Sequence, residues 1–416
     1  MVNKSVLISG VGIAGPTLAY WLEARGFRPT LIEQSPRPRA GGYVIDFWGR
    51  GYDIAERMGL LADIAREGYQ VQEVRFVDRR GRRVGGFGVD VFRKITGGRY
   101  VSVARSALAE LLYRTIESRC EVVFDDSVAG IEEHDGGVTV SFERASARTF
   151  DMVVGADGLH SVVRRIAFGA QNSFEKYLGY VVAAFEIEGY RPRDEDVYVS
   201  YTLPGKQIAR FAMQDDRTMI LLVFAATHPS SVDPHDMQAQ KAILHREYDG
   251  AGWECRQMLA ALDRCEALYF DRVSQIRMET WSRGRVALVG DAAFCPSLLA
   301  GQGAALAMTA SYVLAGELAK AGGCHETAFR HYESVLRSFI AEKQNAAKQF
   351  AGSFAPKTGL GLYLRNQISK ALSLPFVAKL VVGRGVVDRL ALPAYPSPST
   401  WEGREQHSLS DPRTGS

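Results

Sequence analysis

The sequence predicts an α/β protein: a doubly wound parallel sheet, interrupted by an antiparallel β-sheet domain and followed by helices. Three observations carry this. The apolar run KSVLIS (4–9) enters a glycine loop and then a helix-like stretch. Two later segments, around Asp157 and Asp291, again show an apolar strand ending in Gly and Asp. Between them, residues 169–275 change to aromatic-rich alternation. Parallel strands covered on both faces read as continuous apolar runs, whereas half-buried antiparallel strands alternate.

At 416 residues the chain exceeds one ordinary core. Its apolar share of 46% and charged share of 23% are those of a globular protein. Fifty basic residues against 47 acidic ones leave a net charge of +3, which speaks against nucleic acid or an anionic membrane as the main partner. One local basic run, Arg79-Arg80-Gly81-Arg82-Arg83, reads as a solvated hairpin tip. Cys120, Cys255, Cys265, Cys295 and Cys324 are scattered and form no CxxC, which indicates a reducing, cytoplasmic compartment without a disulfide framework or thiolate zinc site. The eight histidines show no HExxH or HxH spacing, so no metal is expected. No apolar run reaches the roughly 18 residues of a membrane span. The first residues could be taken for a secretory leader, but regularly spaced glycines favour a buried strand entering a turn. A monomer or homodimer is expected.

In chain order, PTLAYWLEARG follows the first loop as a helix, with Pro16 in its first turn and Gly26 at its end, and PTLIE (29–33) is a second strand. A β-loop-α-β unit of this length favours the doubly wound, Rossmann-like arrangement. Residues 34–50, rich in Pro, Arg and Gly, read as a loop; 51–67 and 106–119 read as helices. EVVF, SVAGIEEH and GVTVSFE read as antiparallel strands, and FDMVVGADG (150–158) returns to a buried strand. The expected division places a dinucleotide-binding domain at 1–75, 100–168 and 276–345 and a substrate sheet at 76–99 and 169–275. A helical region at 346–393 and a disordered tail at 394–416 complete it.

Gly10-x-Gly12-x-x-Gly15 lies between a strand and a helix, with Glu33 closing the next strand. Gly10 permits the tight turn, Gly12 lets the backbone approach a pyrophosphate, and Gly15 lets helix and strand pack closely. The helix N-terminus, from Ala14 onward, offers free N–H groups and a positive dipole to phosphates. A carboxylate at Glu33 suits ribose hydroxyls. A chance glycine-rich turn is the minor alternative, and the motif alone does not separate FAD from NAD. Asp157, in GADGLHSVVR (155–164), falls at the carboxyl end of a strand, where ligands dock; a helix-capping Asp-Gly turn is the structural alternative. RVALVGDAA followed by Gly301-Gln302-Gly303 and an Ala-rich helix places Asp291 where it can hold sugar-like hydroxyls, with a helix dipole aimed at a negative ligand edge.

GVGIAG, GADGLHSVVR and LVGDAA, in this order, resemble the single-component FAD-dependent aromatic hydroxylases, the para-hydroxybenzoate hydroxylase-like class A flavin monooxygenases, over roughly residues 3–345. The resemblance implies FAD, with NADPH or NADH and O2 as co-substrates. It places Glu33 on the ribose, Asp157 near the pyrophosphate, Asp291 on the ribityl chain, Gly301–Gly303 near the isoalloxazine, and Arg105 as the arginine that contacts FAD from a helix start. GGYVIDFWGRG (41–51), GDAAFCPSLLAGQG and the helices of 346–393 resemble the flavin monooxygenases that inactivate tetracyclines. The implied reaction is hydroxylation of an aromatic or polyketide-type molecule through a C4a-hydroperoxyflavin. The flavin carries that chemistry, so no catalytic acid or base is assigned.

Expected substrate contacts are Asp46 and Trp48 from the 41–51 segment, Arg210, Phe211 and Phe224 from the inserted sheet, and Phe294 and Pro296 beside the flavin. Plain core packing is the alternative for the aromatics. The chain departs from the family pattern at Phe294, where His is usual, at Ser297 and Leu298, where prolines are usual, and at Ser311, often acidic. The rival function is an FAD dehydrogenase or reductase without oxygen insertion. A halogenase would show W-x-W and a disulfide reductase an early cysteine pair; neither pattern is present.

Overall fold

The computed structural model describes residues 3–38, 43–228, 233, 236–372 and 388–395. Its first layer is a six-stranded sheet in the order Ser282–Arg283, Val286–Leu288, Met152–Gly155, Ser5–Ser9, Arg28–Glu33, Glu121–Phe124. All pairs are parallel except the short Ser282–Arg283 edge. Val6, Leu7 and Ile8 are at most 1% exposed, as required of a strand covered on both faces. Helices Ala14–Glu23 and Gly303–Lys320 pack on each other over this sheet, and small residues permit the close approach. Ser311, at the family's acidic position, is fully buried and donates from Oγ to the Ala14 carbonyl at 2.9 Å, tying the two helices together.

The second layer is a seven-stranded sheet: Tyr269–Ile276, Glu175–Glu188, Arg217–Ala225, Lys206–Ala212, Val197–Leu203, Glu73–Val77, Arg83–Gly88. It is antiparallel except where Val197–Leu203 runs parallel to Glu73–Val77. The expected boundary between residues 75 and 76 therefore falls inside a strand of this sheet. Its outer face is covered by helices Met237–Tyr248 and Cys255–Arg264, which bury Val181, Ala183, Ile208, Leu222 and Phe224. Its inner face carries Val74, Tyr198, Phe211 and Met219 toward the first layer. The Arg79–Arg83 run forms the tip of the hairpin between Glu73–Val77 and Arg83–Gly88, where Asp78 Oδ1 accepts from the Arg80 and Arg82 amides.

Residues 34–50 correct the sequence expectation of a loop. Val44–Trp48 is a strand, paired antiparallel with Tyr100–Ala104 in a three-stranded sheet between the two layers. The Pro- and Gly-rich flank hides a VIDFW core that alternates inward and outward. Residues 39–42 of the expected loop lie outside the described residues. At the C-terminal end, helices His325–Phe354 and Gly359–Ala371 are followed by 373–387, outside the described residues. Tyr395, within the expected tail, packs at a tilt against Tyr312 at 5.3 Å between ring centroids and donates to Glu317 Oε1 at 2.7 Å. Residues 396–416 lie outside the description.

Replacing Leu7 by Ala removes the centre of the first layer and leaves a cavity between packed helices. A loss of roughly 2–5 kcal/mol is expected, read as a lower urea midpoint with unchanged slope.

Candidate functional site

The three motifs converge on one turn. Gly10 has φ +108° and donates its amide to the Ile32 carbonyl at 2.7 Å. A Cβ on Gly10 would lie 2.6 Å from the Ala156 carbonyl oxygen, and one on Gly15 would lie 1.9 Å from the Gly10 carbonyl oxygen. Neither position admits a side chain. Ala14 faces Gly290, where an added Cβ would meet its methyl at 3.1 Å. Gly12, by contrast, has only Arg105 Nη2 near its Cβ position, at 3.8 Å. The sequence thus packs the turn from three sides and leaves the Gly12 side open toward a cation.

Arg105 opens the helix Arg105–Arg114, and its amide donates to the Tyr43 carbonyl. Its guanidinium makes no hydrogen bond to any described residue, while its charge is felt by Tyr43, Tyr269 and Asp291. Asp291 begins a short helical turn beside Gly303, with Oδ1 3.5 Å from that residue's Cβ position at the start of Gly303–Lys320. Burial raises its carboxyl, and Arg105 pulls it back down. Glu33 is 7% exposed; its Oε2 accepts from the Val11 amide at 2.9 Å and its Oε1 from the Ser35 amide at 3.0 Å, so it braces the glycine turn.

Asp157 serves as a cap. Its carboxylate accepts from Ser161 Oγ at 2.5 Å and from the Val162 and Val163 amides at 2.8 and 3.1 Å, holding the start of Val162–Ala167. Its backbone adjoins the Gly10 turn. Arg164, at 0% exposure, joins this segment to the third motif by donating to the Leu159 and Ala292 carbonyls.

Beside the turn, the strand Val44–Trp48 turns Asp46 and Trp48 toward the inner face of the seven-stranded sheet. Asp46 Oδ1 accepts from Tyr100 Oη at 2.5 Å and Ser102 Oγ at 2.6 Å. Asp46 keeps accessible surface, yet it lies deep enough that lost hydration raises its carboxyl. Trp48 stacks on Tyr100 and reaches the Gly301 position at 4.0 Å, where φ is +65°. Tyr43, Tyr198 and Tyr269 also keep accessible surface, and burial raises all three phenols. Tyr43 and Tyr269 are in ring contact at 5.7 Å, and Tyr198 lies on the sheet face that carries Phe211 and Met219. None was singled out in the sequence, where each is one tyrosine among 17.

Several expected substrate contacts lie elsewhere. Arg210 and Phe224 occupy the outer face: Arg210 pairs with Asp194 and Glu254 and lines an outer cavity of about 510 Å³ with Trp253, while Phe224 packs on Tyr248. Alternation fixed their parity but not which parity faced inward. Phe211 is on the inner face but 4% exposed, edge-on to Tyr69. Phe294 is 1% exposed against Trp281, because the Asp291–Phe294 turn directs it into the core. Pro296 is buried, and its carbonyl accepts from Gln275 Nε2. Next to it, Ser297 holds φ +120° and Leu298 packs toward the second sheet.

A doubly wound sheet with a glycine turn, a guanidinium at that turn that bonds to no described residue and two further Asp-bearing strand ends marks a dinucleotide-binding protein. The FAD binding domain family matches residues 3–344, and the chain belongs to it. Its relatives include an uncharacterized protein of Mycobacterium tuberculosis, 39% identical across 82% of this chain and 92% of that one. A flavin-dependent monooxygenase from an unknown prokaryotic organism is 34% identical across 94% of this chain and 98% of its own length. Among solved structures, the tetracycline destructase Tet(55) superposes with a TM-score of 0.80 at 30% identity, covering 94% of this chain and 99% of that one. The chain is an FAD-dependent monooxygenase of this family.

Two outcomes follow from this geometry. Arg105→Ala is expected to weaken FAD binding by roughly 10- to 100-fold, the worth of a charge-assisted hydrogen bond. Because that guanidinium bonds to no described residue, the apoprotein's melting temperature should not move. Asp46→Asn keeps the acceptor for Tyr100 and removes a charge whose folded-state pKa is raised. Below the ordinary carboxylate pKa both forms are neutral and their stability difference does not change with pH. As pH rises through the window between that value and the raised one, the wild-type apoprotein should lose stability relative to the variant, with no further change above it. Urea titrations across acidic pH measure this.

Proposed function

We propose that this enzyme uses NADPH or NADH and O2 to hydroxylate an aromatic or polyketide-type small molecule, tetracycline-like compounds included, in the reducing cytoplasm. The carrying observation is the convergence of the Gly10–Gly15 turn with Asp157, Gly290 and Arg105, with Asp291 beside Gly303 and Trp48 at Gly301. The likeness to Tet(55), a tetracycline destructase, over nearly the whole chain supports the substrate class. The five described cysteines, all free, accord with the compartment.

In this reading the six-stranded layer is the cofactor domain and the seven-stranded sheet the substrate domain. FAD is held by Gly10, Gly12, Ala14 and Gly15, by Arg105 at the phosphates, by Glu33 and Asp157 through the backbone they brace, and by Asp291 and Gly301–Gly303 toward the flavin ring. Once bound, the flavin supplies the redox and oxygen-transfer chemistry. The chain's own residues bind, orient and shield. The amides at the start of Gly303–Lys320 favour negative charge on the ligand edge they face. Asp46, fixed by Tyr100 and Ser102, offers its Oδ2 to a substrate hydroxyl, and Trp48 supplies a flat wall beside Gly301. The apolar inner face of the second sheet, with Val74, Phe211 and Met219, gives a substrate ring a dry surface to pack on.

NADPH-coupled O2 uptake, screened over phenols, anthraquinones and tetracyclines with mass spectrometry of the products, tests the proposal. Uptake stimulated by a substrate and a gain of one oxygen are expected. Substrate-stimulated NADPH oxidation without O2 consumption would make the chain a dehydrogenase or reductase instead.

A further inference from the structure

Helix Gly359–Ala371 lies against the strand Arg83–Gly88, where Gly85 and Gly86 leave room for Ser369, whose Oγ accepts from the Gly86 amide at 3.1 Å. From this helix Arg365 reaches over the inner face of the seven-stranded sheet. Its guanidinium stacks 4.1 Å from the Phe76 ring centroid and donates to Thr202 Oγ1 at 3.1 Å. The remaining contacts go to Asn366 Oδ1 and the Phe354 carbonyl. Every acceptor is neutral. Among the described residues, no carboxylate pairs with it.

Tyr198 projects from the same sheet face, keeps accessible surface, and is the ionisable group whose charge Arg365 feels. Burial lowers the arginine to about 10, so it remains a cation at neutral pH. A half-buried charge lacking a counter-charge is costly, and its removal is ordinarily favourable. The cation–π contact with Phe76 and the bonds to Thr202, Asn366 and Phe354 engage the guanidinium with neutral groups only and leave its charge without an anion. A guanidinium held flat by an aromatic ring and fixed by its neighbours is pre-organised for a planar anion.

We propose that Arg365 sets substrate specificity by pairing with an anionic edge of the aromatic substrate, a carboxylate, phenolate or enolate. This assignment rests on the inner face of the second sheet being the substrate site, and it assigns a charge to the substrate that the reaction class does not dictate.

The test titrates the FAD-loaded enzyme, by calorimetry, with a hydroxyanthraquinone carboxylate and its methyl ester and with a hydroxynaphthoate and its methyl ester. The acids should bind wild type at least tenfold more tightly than their esters. In Arg365→Gln the preference should fall to within twofold, and Arg365→Lys should retain part of it, with FAD affinity unchanged in both. Equal binding of acid and ester to wild type, failure of both acids to bind, or a preference that survives in Arg365→Gln would overturn the assignment. The wild-type comparison alone decides against it even if the Gln variant does not fold. Oxygen uptake is scored separately. Acid preference without oxygen insertion refutes the proposed hydroxylation of this substrate class and leaves the anion site standing, whereas oxygen insertion without acid preference refutes the anion site alone.

Discussion

The close approach of three chain segments at the Gly10–Gly15 turn is the constraint on which the rest of the structure depends. Gly10 lies against Ala156, Gly15 against Gly10, and Ala14 against Gly290. At each contact a side chain would have to displace backbone or packed methyl groups, which interiors at native density do not permit without loss. The segments are distant in sequence, so the turn forms only when the strand ends at Gly155 and Leu288 are already in register with Ser9. Buried Arg164 reinforces that arrangement by linking the second segment to the third. The fold and the proposed cofactor site thus rest on the same set of contacts.

Charge is distributed around that turn in a consistent way. Carboxylates that brace backbone, Glu33 and Asp157, are engaged by amides and hydroxyls. Arg105 and Arg365 form no ion pair with a carboxylate among the described residues, although Arg105 is near enough to pull the Asp291 carboxyl down. Asp46 sits between these groups, with one oxygen tied and its carboxyl raised by burial. A ligand spanning the distance between Arg105 and Arg365 therefore meets cations at both the phosphate end and the helix Gly359–Ala371 end, with a hydrogen-bond acceptor between them.

Much of this was legible in the sequence because glycine and aspartate positions at strand ends have a stereochemical cause. The first layer and the glycine turn follow from periodicity and turn chemistry, whereas Arg105 at its helix start followed from the family resemblance. The strand Val44–Trp48 did not, because flanking Pro and Gly masked five residues of alternation. Arg210 and Phe224 lie on the outer face, which the sequence does not reveal, because alternation gives a parity and only the covering helices decide its direction. Asp157 proved to be held by the capping bonds that were its structural alternative. Arg365 carried no local signal at all: its meaning comes from Phe76 and Thr202, which only the tertiary fold brings to it.

The central claim is that these segments form one FAD site open to the inner face of the second sheet. A crystal structure of the FAD complex tests it most directly. The account predicts the pyrophosphate at Gly12 and the start of Ala14–Glu23 within reach of Arg105, and the isoalloxazine at Gly301–Gly303 facing Asp46 and Tyr198. Flavin bound in the outer cavity beside Trp253, or a pyrophosphate away from Gly12 and Arg105, would contradict it.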